Sequence, residues 1–311
     1  MPDFDHKTLI AHLSPDDRSS LLERSDAQGL RYLALHIGGI VLCSALIIAN
    51  APFVVLIMLV QGILINFLFT TLHETSHRTP FETDALNIWV GRVCGFCVFI
   101  APEWFRYYHF AHHRFTHDPE KDPELATAKP NTTWQYLKYL SGIPDWASRA
   151  KALVRNAAFP NQDAFVPERG RTKVMREARI QLGLYAAILI VSLVAWSPAA
   201  LLLWIAPIIM GGPFLRGYLL AEHARCPHAA SMLENTRTTL TNKIVRRLAW
   251  NMPYHAEHHA YPSVPFHKLP DFHEFARDHI RHQENGYLKF NNAYLKDSIT
   301  GVLSQNREIE P

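Results

Sequence analysis

Two long stretches of this sequence have no charged residue. Residues 32–72 contain no Lys, Arg, Asp or Glu, and neither do residues 181–215. Each stretch is too long for one buried helix of a soluble protein and long enough for two membrane-crossing helices. The absence of charge therefore excludes an ordinary soluble domain over these residues and predicts four membrane spans.

Cysteine is also scarce, and the few cysteines do not indicate a redox function. Cys43 lies within the first uncharged stretch, and Cys94 and Cys97 form a CxxC motif in an apolar segment. A redox CxxC motif follows a strand, so we expect these thiols to be inactive. The formal charge of +3 does not indicate nucleic-acid binding, and we expect none. The start, Met1-Pro-Asp-Phe-Asp5, lacks the basic region of a signal peptide, so we expect no cleavable leader.

Hydropathy arranges the spans in two pairs, joined by turns at Asn50-Ala-Pro52 and Ser197-Pro198. A further apolar segment, 86–101, is too short to cross a core of about 30 Å at about 1.5 Å per residue. We interpret it as a re-entrant or interfacial helix. Residues 103–178 are basic and rich in Trp and Tyr, which is typical of helices at the lipid headgroup level. The predicted spans are about 33–50, 52–72, 179–196 and 199–223.

The distribution of charge predicts the orientation of the chain in the membrane. Both turns are uncharged, so the 31 Lys and Arg residues and both termini are expected on the opposite face. By the positive-inside rule that face is cytoplasmic, which in a bacterium means the cytoplasmic side of the inner membrane. We predict a cytoplasmic segment at 1–31, a membrane domain at 32–275 and a cytoplasmic tail at 276–311.

Histidine, in contrast, is abundant, and eight of the 18 histidines lie in three short clusters. The clusters are His73-Glu-Thr-Ser-His77, His109-Phe-Ala-His112-His113 and His255-Ala-Glu-His258-His259. Each falls on the predicted cytoplasmic face. A further histidine, His223, ends the fourth span at the same depth. The candidate metal ligands are therefore His73, His77, His109, His112, His113, His223, His255, His258 and His259.

The spacing within each cluster favours a shared metal site. Residues at i, i+3 and i+4 of a helix share a face, and neutral imidazole is a common ligand of Fe, Zn, Cu and Ni. Adjacent buried imidazoles without a metal would leave polar atoms unsatisfied. Nine candidates are more than one metal ion uses, so we predict two metals. The predicted fold class is an all-α integral membrane protein with four transmembrane helices in two hairpins and a cytoplasmic helical cap that holds a His-rich di-metal site.

Other polar residues receive less specific interpretations. We interpret His36, alone on a span, as a core residue, and His117 as a neighbour of the site rather than a ligand. The run from Asn235 to Asn242 favours a cap and a turn, with contact to a substrate headgroup as an alternative. The carboxylates expected to accept hydrogen bonds from ligand imidazoles are Asp118, Asp122, Glu74 and Glu257.

Two other functions are compatible with parts of the pattern. His73-Glu-Thr-Ser-His77 is also an HExxH motif, in which Glu74 would be the general base of a zinc intramembrane protease. That function leaves most of the clustered histidines unexplained. A membrane metal carrier would use the same histidines but needs a polar path through the spans, where polar residues are few and scattered.

The order HxxxH, HxxHH, HxxHH after hydrophobic hairpins resembles the membrane-bound fatty acid desaturase superfamily. The stretches from His109 to Pro119 and from Asn251 to His259 also match, as does Val264-Pro265-Phe-His267, and the resemblance covers about residues 35–275. All eight clustered histidines correspond to the family's ligands, and His223 corresponds to its additional histidine. The first cluster has three intervening residues, whereas other members have four.

The resemblance implies two Fe ions, O2 as co-substrate and a lipid or acyl substrate. It favours desaturation, while hydroxylation, oxygenation of a hydrocarbon or carotenoid, and oxidative decarboxylation stay open. No cytochrome b5 or rubredoxin segment is recognised in the sequence, so the expected electron donor is a separate protein, ferredoxin or similar, with its reductase.

Overall fold

The computed structural model describes residues 4–305, which are mostly helical. Short 3-10 turns occur at Pro123–Ala126 and Phe266–Lys268, and a π-helical turn at Leu201–Ile205 leads into α10. The strands are β1 (Arg237–Leu240) and β2 (His282–Asn285). The helices are α1 (His6–His12), α2 (Pro15–Leu21), α3 (Asp26–Ile48), α4 (Val54–His77), α5 (Asp84–Cys97), α6 (Pro102–Phe115), α7 (Thr133–Leu140), α8 (Ile143–Ala158), α9 (Glu168–Val194), α10 (Ala206–His223), α11 (Met232–Asn235), α12 (Lys243–Leu248), α13 (His255–Ala260), α14 (Leu269–Ala276), α15 (Tyr287–Thr300) and α16 (Val302–Gln305).

Four helical segments are long and apolar enough to cross a membrane, which confirms the predicted number. Their outward faces are apolar and exposed, as at Val41 on α3 and Val194 on α9. Such faces are stable against lipid and unfavourable in water. The division into two hairpins and the position of a cytoplasmic cap stay predictions. The four segments are Pro15–Ile48, Val54–His77, Glu168–Val194 and Leu201–His223.

The predicted short apolar helix is present as α5, and it meets α6 at a bend of 99°. Helix α5 ends because Phe99 adopts a left-handed conformation and the amide of Ile100 donates back to the carbonyl of Gly95 over 2.8 Å. Pro102 then starts α6, which agrees with the preference of proline for the first turn of a helix. A broken span and a re-entrant loop both fit this bend. The bend directs α6, with its three histidines, away from the axis of α5.

Helices α4 and α10 approach each other closely through glycine. A Cβ atom added at Gly62 would lie 1.7 Å from the carbonyl oxygen of Pro207, and one added at Gly211 would lie 2.1 Å from the carbonyl carbon of Gly62. The side-chain amide of Asn66 donates to the backbone carbonyl of Ile208 over 2.8 Å. Small residues at such crossings allow backbones to pack directly. The contact holds the histidine-bearing ends of the two helices in register.

The prediction of an all-α fold was wrong in one detail, because β1 and β2 form a parallel two-stranded sheet. Half of the run at 235–242 is therefore a strand, whose threonines are buried and suit a pleated surface. The expected cap is present at its end, where Asn242 accepts hydrogen bonds from the first amides of α12. Thr238 on β1 donates to Glu257, so the sheet helps to position α13.

Replacing Gly62 by Ala is expected to lower stability by about 1–3 kcal/mol, because the added methyl group overlaps the backbone of α10. The midpoint of thermal unfolding of the detergent-purified protein measures the effect. Gly183→Ala on α9 is the matched control, since an added Cβ there meets no atom within 4 Å. Equal midpoints for the two variants would contradict the close packing of α4 on α10.

Candidate metal centre

The nine predicted ligands all lie within the described part of the chain, at helix ends or on short helices. His73 and His77 occupy the last turns of α4, and His223 is the last residue of α10. The second cluster lies on α6 and the third on α13. Helix α4 stops after His77 because Arg78 is left-handed, at φ 60°. Seven of the nine are buried, and His77 and His113 are half-buried.

Five histidines from three helices form the first group. Each offers a ring nitrogen, and these nitrogens all lie within 4.8 Å of one another. Within this group, Nε2 of His77 lies 2.7 Å from Nε2 of His109. The members of the group are His73, His77, His109, His113 and His258.

The second group contains His112, His223 and His259, again with ring nitrogens within 4.8 Å of one another. Nε2 of His112 lies 3.1 Å from Nε2 of His223. His255 is outside this set, but its Nε2 also lies 3.1 Å from Nε2 of His223. The two groups adjoin, because the rings of His113 and His259 stack with their centroids 4.0 Å apart.

The arrangement fits metal ions better than it fits hydrogen bonding alone. Both ring nitrogens of His113 and His258 and Nε2 of His259 are buried without a hydrogen-bond partner. Buried polar atoms are rarely left unsatisfied. Metal–imidazole bonds of about 2.1 Å place neighbouring donor atoms about 3.0 Å apart at right angles. The observed separations of 2.7–3.1 Å are close to that distance.

The imidazoles of the third cluster are held in the neutral form that binds metals. Burial lowers the pKa of His255 to about 3, with a further contribution from His112. Burial also holds the pKa of His258 and of His259 well below the usual range. A neutral imidazole keeps a lone pair for coordination at pH 7.

Of the four carboxylates expected to orient ligand imidazoles, only Asp122 contacts a predicted ligand at hydrogen-bond distance. Nδ1 of His112 donates to Asp122 over 2.9 Å, so Nε2 carries the free lone pair. The expectation was wrong for Asp118, which accepts from the amides of Glu120 and Lys121. It was also wrong for Glu257 and Glu74. Glu257 pairs with His273 and Thr238, and Glu74 approaches Nδ1 of His258 only to 4.0 Å.

Two isolated histidines lie where the sequence interpretation placed them. Nε2 of His36 is 2.7 Å from the carbonyl oxygen of Leu64, which satisfies it within the helix pair. His117 is buried beside the second group, its ring centroid 5.5 Å from that of His223, but it belongs to neither group.

Two carboxylates next to the second group are absent from the set predicted from sequence. Oε2 of Glu124 lies 3.2 Å from Nε2 of His112, and Oε1 of Glu222 lies 3.5 Å from Nδ1 of His255. Glu222 precedes His223 directly, and Glu124 ends the acidic run Asp118-Pro-Glu-Lys-Asp-Pro-Glu124. An acidic run so soon after a histidine cluster is the signal that could have identified Glu124.

A cavity of about 1440 Å³ reaches both groups, at His73 and His109 on one side and His112 and His255 on the other. One part of its wall is apolar and aromatic, as at Phe105, whose ring stacks on that of His109 with centroids 5.4 Å apart. Another part is charged. The apolar lining includes Phe69, Ile100, Trp104, Phe105 and Leu219, and the charged lining includes Glu124, Lys129, Asp145, Arg149 and Arg216.

The charged wall is an ordered network. Asp145 pairs with Arg149 over 2.8 Å and lies 3.4 Å from Arg216. Glu124 pairs with Lys129. Burial would raise the pKa of Glu124, but the ammonium group of Lys129 holds this pKa well below its usual range. A cavity lined by both apolar and charged side chains suits an amphipathic molecule.

Comparison with known proteins agrees with this geometry. The family described as Fatty acid desaturase matches residues 49–291. A sphingolipid delta(4)-desaturase of Drosophila melanogaster is 25% identical over 224 residues, which are 70% of this chain and 64% of that protein, so the chain spans less than two thirds of its length. A dihydrorhizobitoxine desaturase of Bradyrhizobium elkanii is 26% identical over 306 residues, 87% of this chain and 80% of that protein. A protein of Oryza sativa that is named as sphingolipid delta(4)-desaturase-like is 23% identical over 254 residues, 78% of this chain and 71% of that protein.

The family match covers well over half of the chain and includes all nine candidate histidines. The spans and the histidine groups are consistent with a metal-binding membrane protein. The chain therefore belongs to the fatty acid desaturase family of oxidoreductase enzymes.

Proposed function

We propose that this protein is an O2-dependent di-iron desaturase that introduces a double bond into the fatty acyl chain of a lipid or thioester. The observation that carries the proposal is the convergence of nine histidines, from four separate segments, into two adjoining groups. The family match supports the reaction class. The membrane spans support a substrate that resides in or beside the bilayer.

In the proposal the two groups are the ligand sets of two metals. Imidazole suits both iron and zinc, so the family and the large number of nitrogen ligands, rather than any one distance, favour iron. In the proposal one metal is held by His73, His77, His109, His113 and His258, and the other by His112, His223, His255 and His259.

A di-iron centre supplied with O2, two electrons and two protons would provide the oxidising power to remove two hydrogens from adjacent carbons, with O2 reduced to two molecules of water. In the proposal the side chains of the protein bind the metals and orient the ligands. Asp122 fixes the tautomer of His112. The ring of Phe105 stacks on that of His109 one helical turn later and keeps one side of the site apolar. No protein nucleophile takes part.

The cavity suggests how a substrate is placed. In the proposal the acyl chain lies along the aromatic wall near Phe69 and Phe105, and the polar end lies at the network of Asp145, Arg149 and Arg216. The aromatic rings exclude water from the reacting carbon, since Phe69 and Phe105 pack on His73 and His109. The position of the chain against the metals then decides which carbons react.

The proposed topology has four transmembrane helices in two hairpins, with a helical cap, both termini and the metal site on the cytoplasmic side. The uncharged turns at 50–52 and 197–198 support this orientation. Electrons come in the proposal from a separate donor, ferredoxin or a similar protein with its reductase. The domain boundaries at residues 31 and 275 stay predictions.

The geometry does not favour the zinc protease. Glu74 is fully buried, and its Oε1 accepts hydrogen bonds from Thr79 over 2.7 Å and from the amide of Phe266 over 2.9 Å. A general base must instead reach a water molecule beside the substrate. A metal carrier is not favoured either, because Gln61 and Asn66 bond to backbone carbonyls near α10 rather than line a path.

Replacing His258 by Ala is expected to reduce iron from about two per chain to about one and to abolish product formation, a loss of more than about 100-fold. The reason is that His258 belongs to the five-histidine group. Metal analysis of the detergent-purified protein and lipid profiling of expressing cells measure the two effects. His12→Ala, at an exposed histidine on α1, is the control and should behave as the wild type. Full activity in His258→Ala would refute the assignment of the third cluster. If cells expressing the wild type accumulate new hydroxylated lipids instead of unsaturated ones, the proposed reaction is wrong and the enzyme is a hydroxylase.

Replacing Glu74 by Gln should leave substantial activity. The amide oxygen of Gln can accept both hydrogen bonds that Oε1 of Glu74 accepts, and no step of the proposed reaction uses this carboxylate. Lipid profiling at matched protein levels measures the result. A loss comparable to that of His258→Ala would instead favour a general-base function for Glu74.

A further inference from the structure

Glu124 faces the second histidine group from a loop that is held in place on both sides. Its backbone amide donates to Asp122 over 2.9 Å, and its Oε1 pairs with Lys129. The side chain is 29% exposed, on the surface of the cavity that it lines. Oε2 lies 3.2 Å from Nε2 of His112.

This approach brings three potential metal-binding atoms together. Nδ1 of His112 is 2.9 Å from Asp122, so Nε2 is the ring nitrogen left to coordinate a metal. Nε2 of His112 faces Nε2 of His223 at 3.1 Å and Oε2 of Glu124 at 3.2 Å. A single cation between these atoms would be bound by all three of them. The separations also match the distance of about 3.0 Å between neighbouring ligands of one metal ion.

On this geometry, and resting on the proposed two-metal site, we propose that Glu124 is a ligand of the second metal through Oε2. The second metal then has a mixed set of imidazoles and one carboxylate, while the first has five imidazoles. The charge of the site supports the assignment. Nine neutral imidazoles contribute no negative charge to two divalent ions, whereas a carboxylate ligand offsets one positive charge in a buried site.

The ion pair with Lys129 supports coordination rather than competing with it. A carboxylate has two oxygens, and a partner on one oxygen fixes the direction of the other. Lys129 holds Oε1, so Oε2 is directed at His112. Asp122 has a different function, since its two oxygens bond to His112 and to the amides of His117 and Glu124.

The test compares Glu124→Gln with Glu120→Gln. Gln keeps the shape of Glu124 but removes the charge, and Glu120 is an exposed carboxylate of the same loop that also lines the cavity. Each protein is loaded with ⁵⁷Fe(II), and iron per chain and the Mössbauer spectrum are recorded. We expect Glu124→Gln to retain about one iron per chain, or two with the spectrum of one iron changed, whereas Glu120→Gln matches the wild type.

Glu124→Asp gives a second arm if Glu124→Gln does not accumulate in the membrane. It keeps the charge but withdraws the carboxylate by one methylene group, so the spectrum of one iron should change while the other stays. Two irons with wild-type spectra in either variant would overturn the ligand assignment alone. A wild-type protein that takes up no iron, or a single zinc, would refute the proposed di-iron function itself.

Discussion

The rest of this structure depends on how nine imidazoles are kept together in a buried site. Moving polar nitrogens from water to an apolar interior is unfavourable unless each finds a partner. Here many of them face one another, and both ring nitrogens of His113 and His258 have no hydrogen-bond partner. Two bound cations would satisfy the set at once. Metal affinity is then also folding free energy, since the ligands come from four segments that no local structure holds together.

The scaffold meets this demand by placing histidines at helix ends. Helices α4 and α10 cross at Gly62 and Gly211, so their last residues, His77 and His223, reach similar levels. Two further helices bring histidines to the same site: α6, which follows a sharp bend, and α13, which comes after β1 in the chain. Each of these two short elements has little stability alone, because isolated helices of this length are marginal in water. Their positions depend on packing against the long helices and on the site itself.

The sequence was sufficient for what is local. Uncharged length predicts a span, and the number of spans was confirmed. The i, i+3, i+4 spacing predicted that the histidines of each cluster converge, whereas the structure divides each HxxHH cluster between the two groups. The predictions that were wrong concern contacts between residues far apart in the sequence. The pairing of 237–240 with 282–285 joins segments more than forty residues apart, and nothing within either run specifies the other. Likewise Asp118 and Asp122 are equally plausible by sequence, and only the fold turns Asp122 toward His112.

Helix α13 contributes to both histidine groups, with His258 in one and His259 in the other. It also follows all four candidate spans along the chain. During synthesis the ribosome therefore delivers this helix only after every span has emerged. In the proposed two-metal site neither group has its full ligand set before then, so complete metal coordination would follow the synthesis of all four candidate spans.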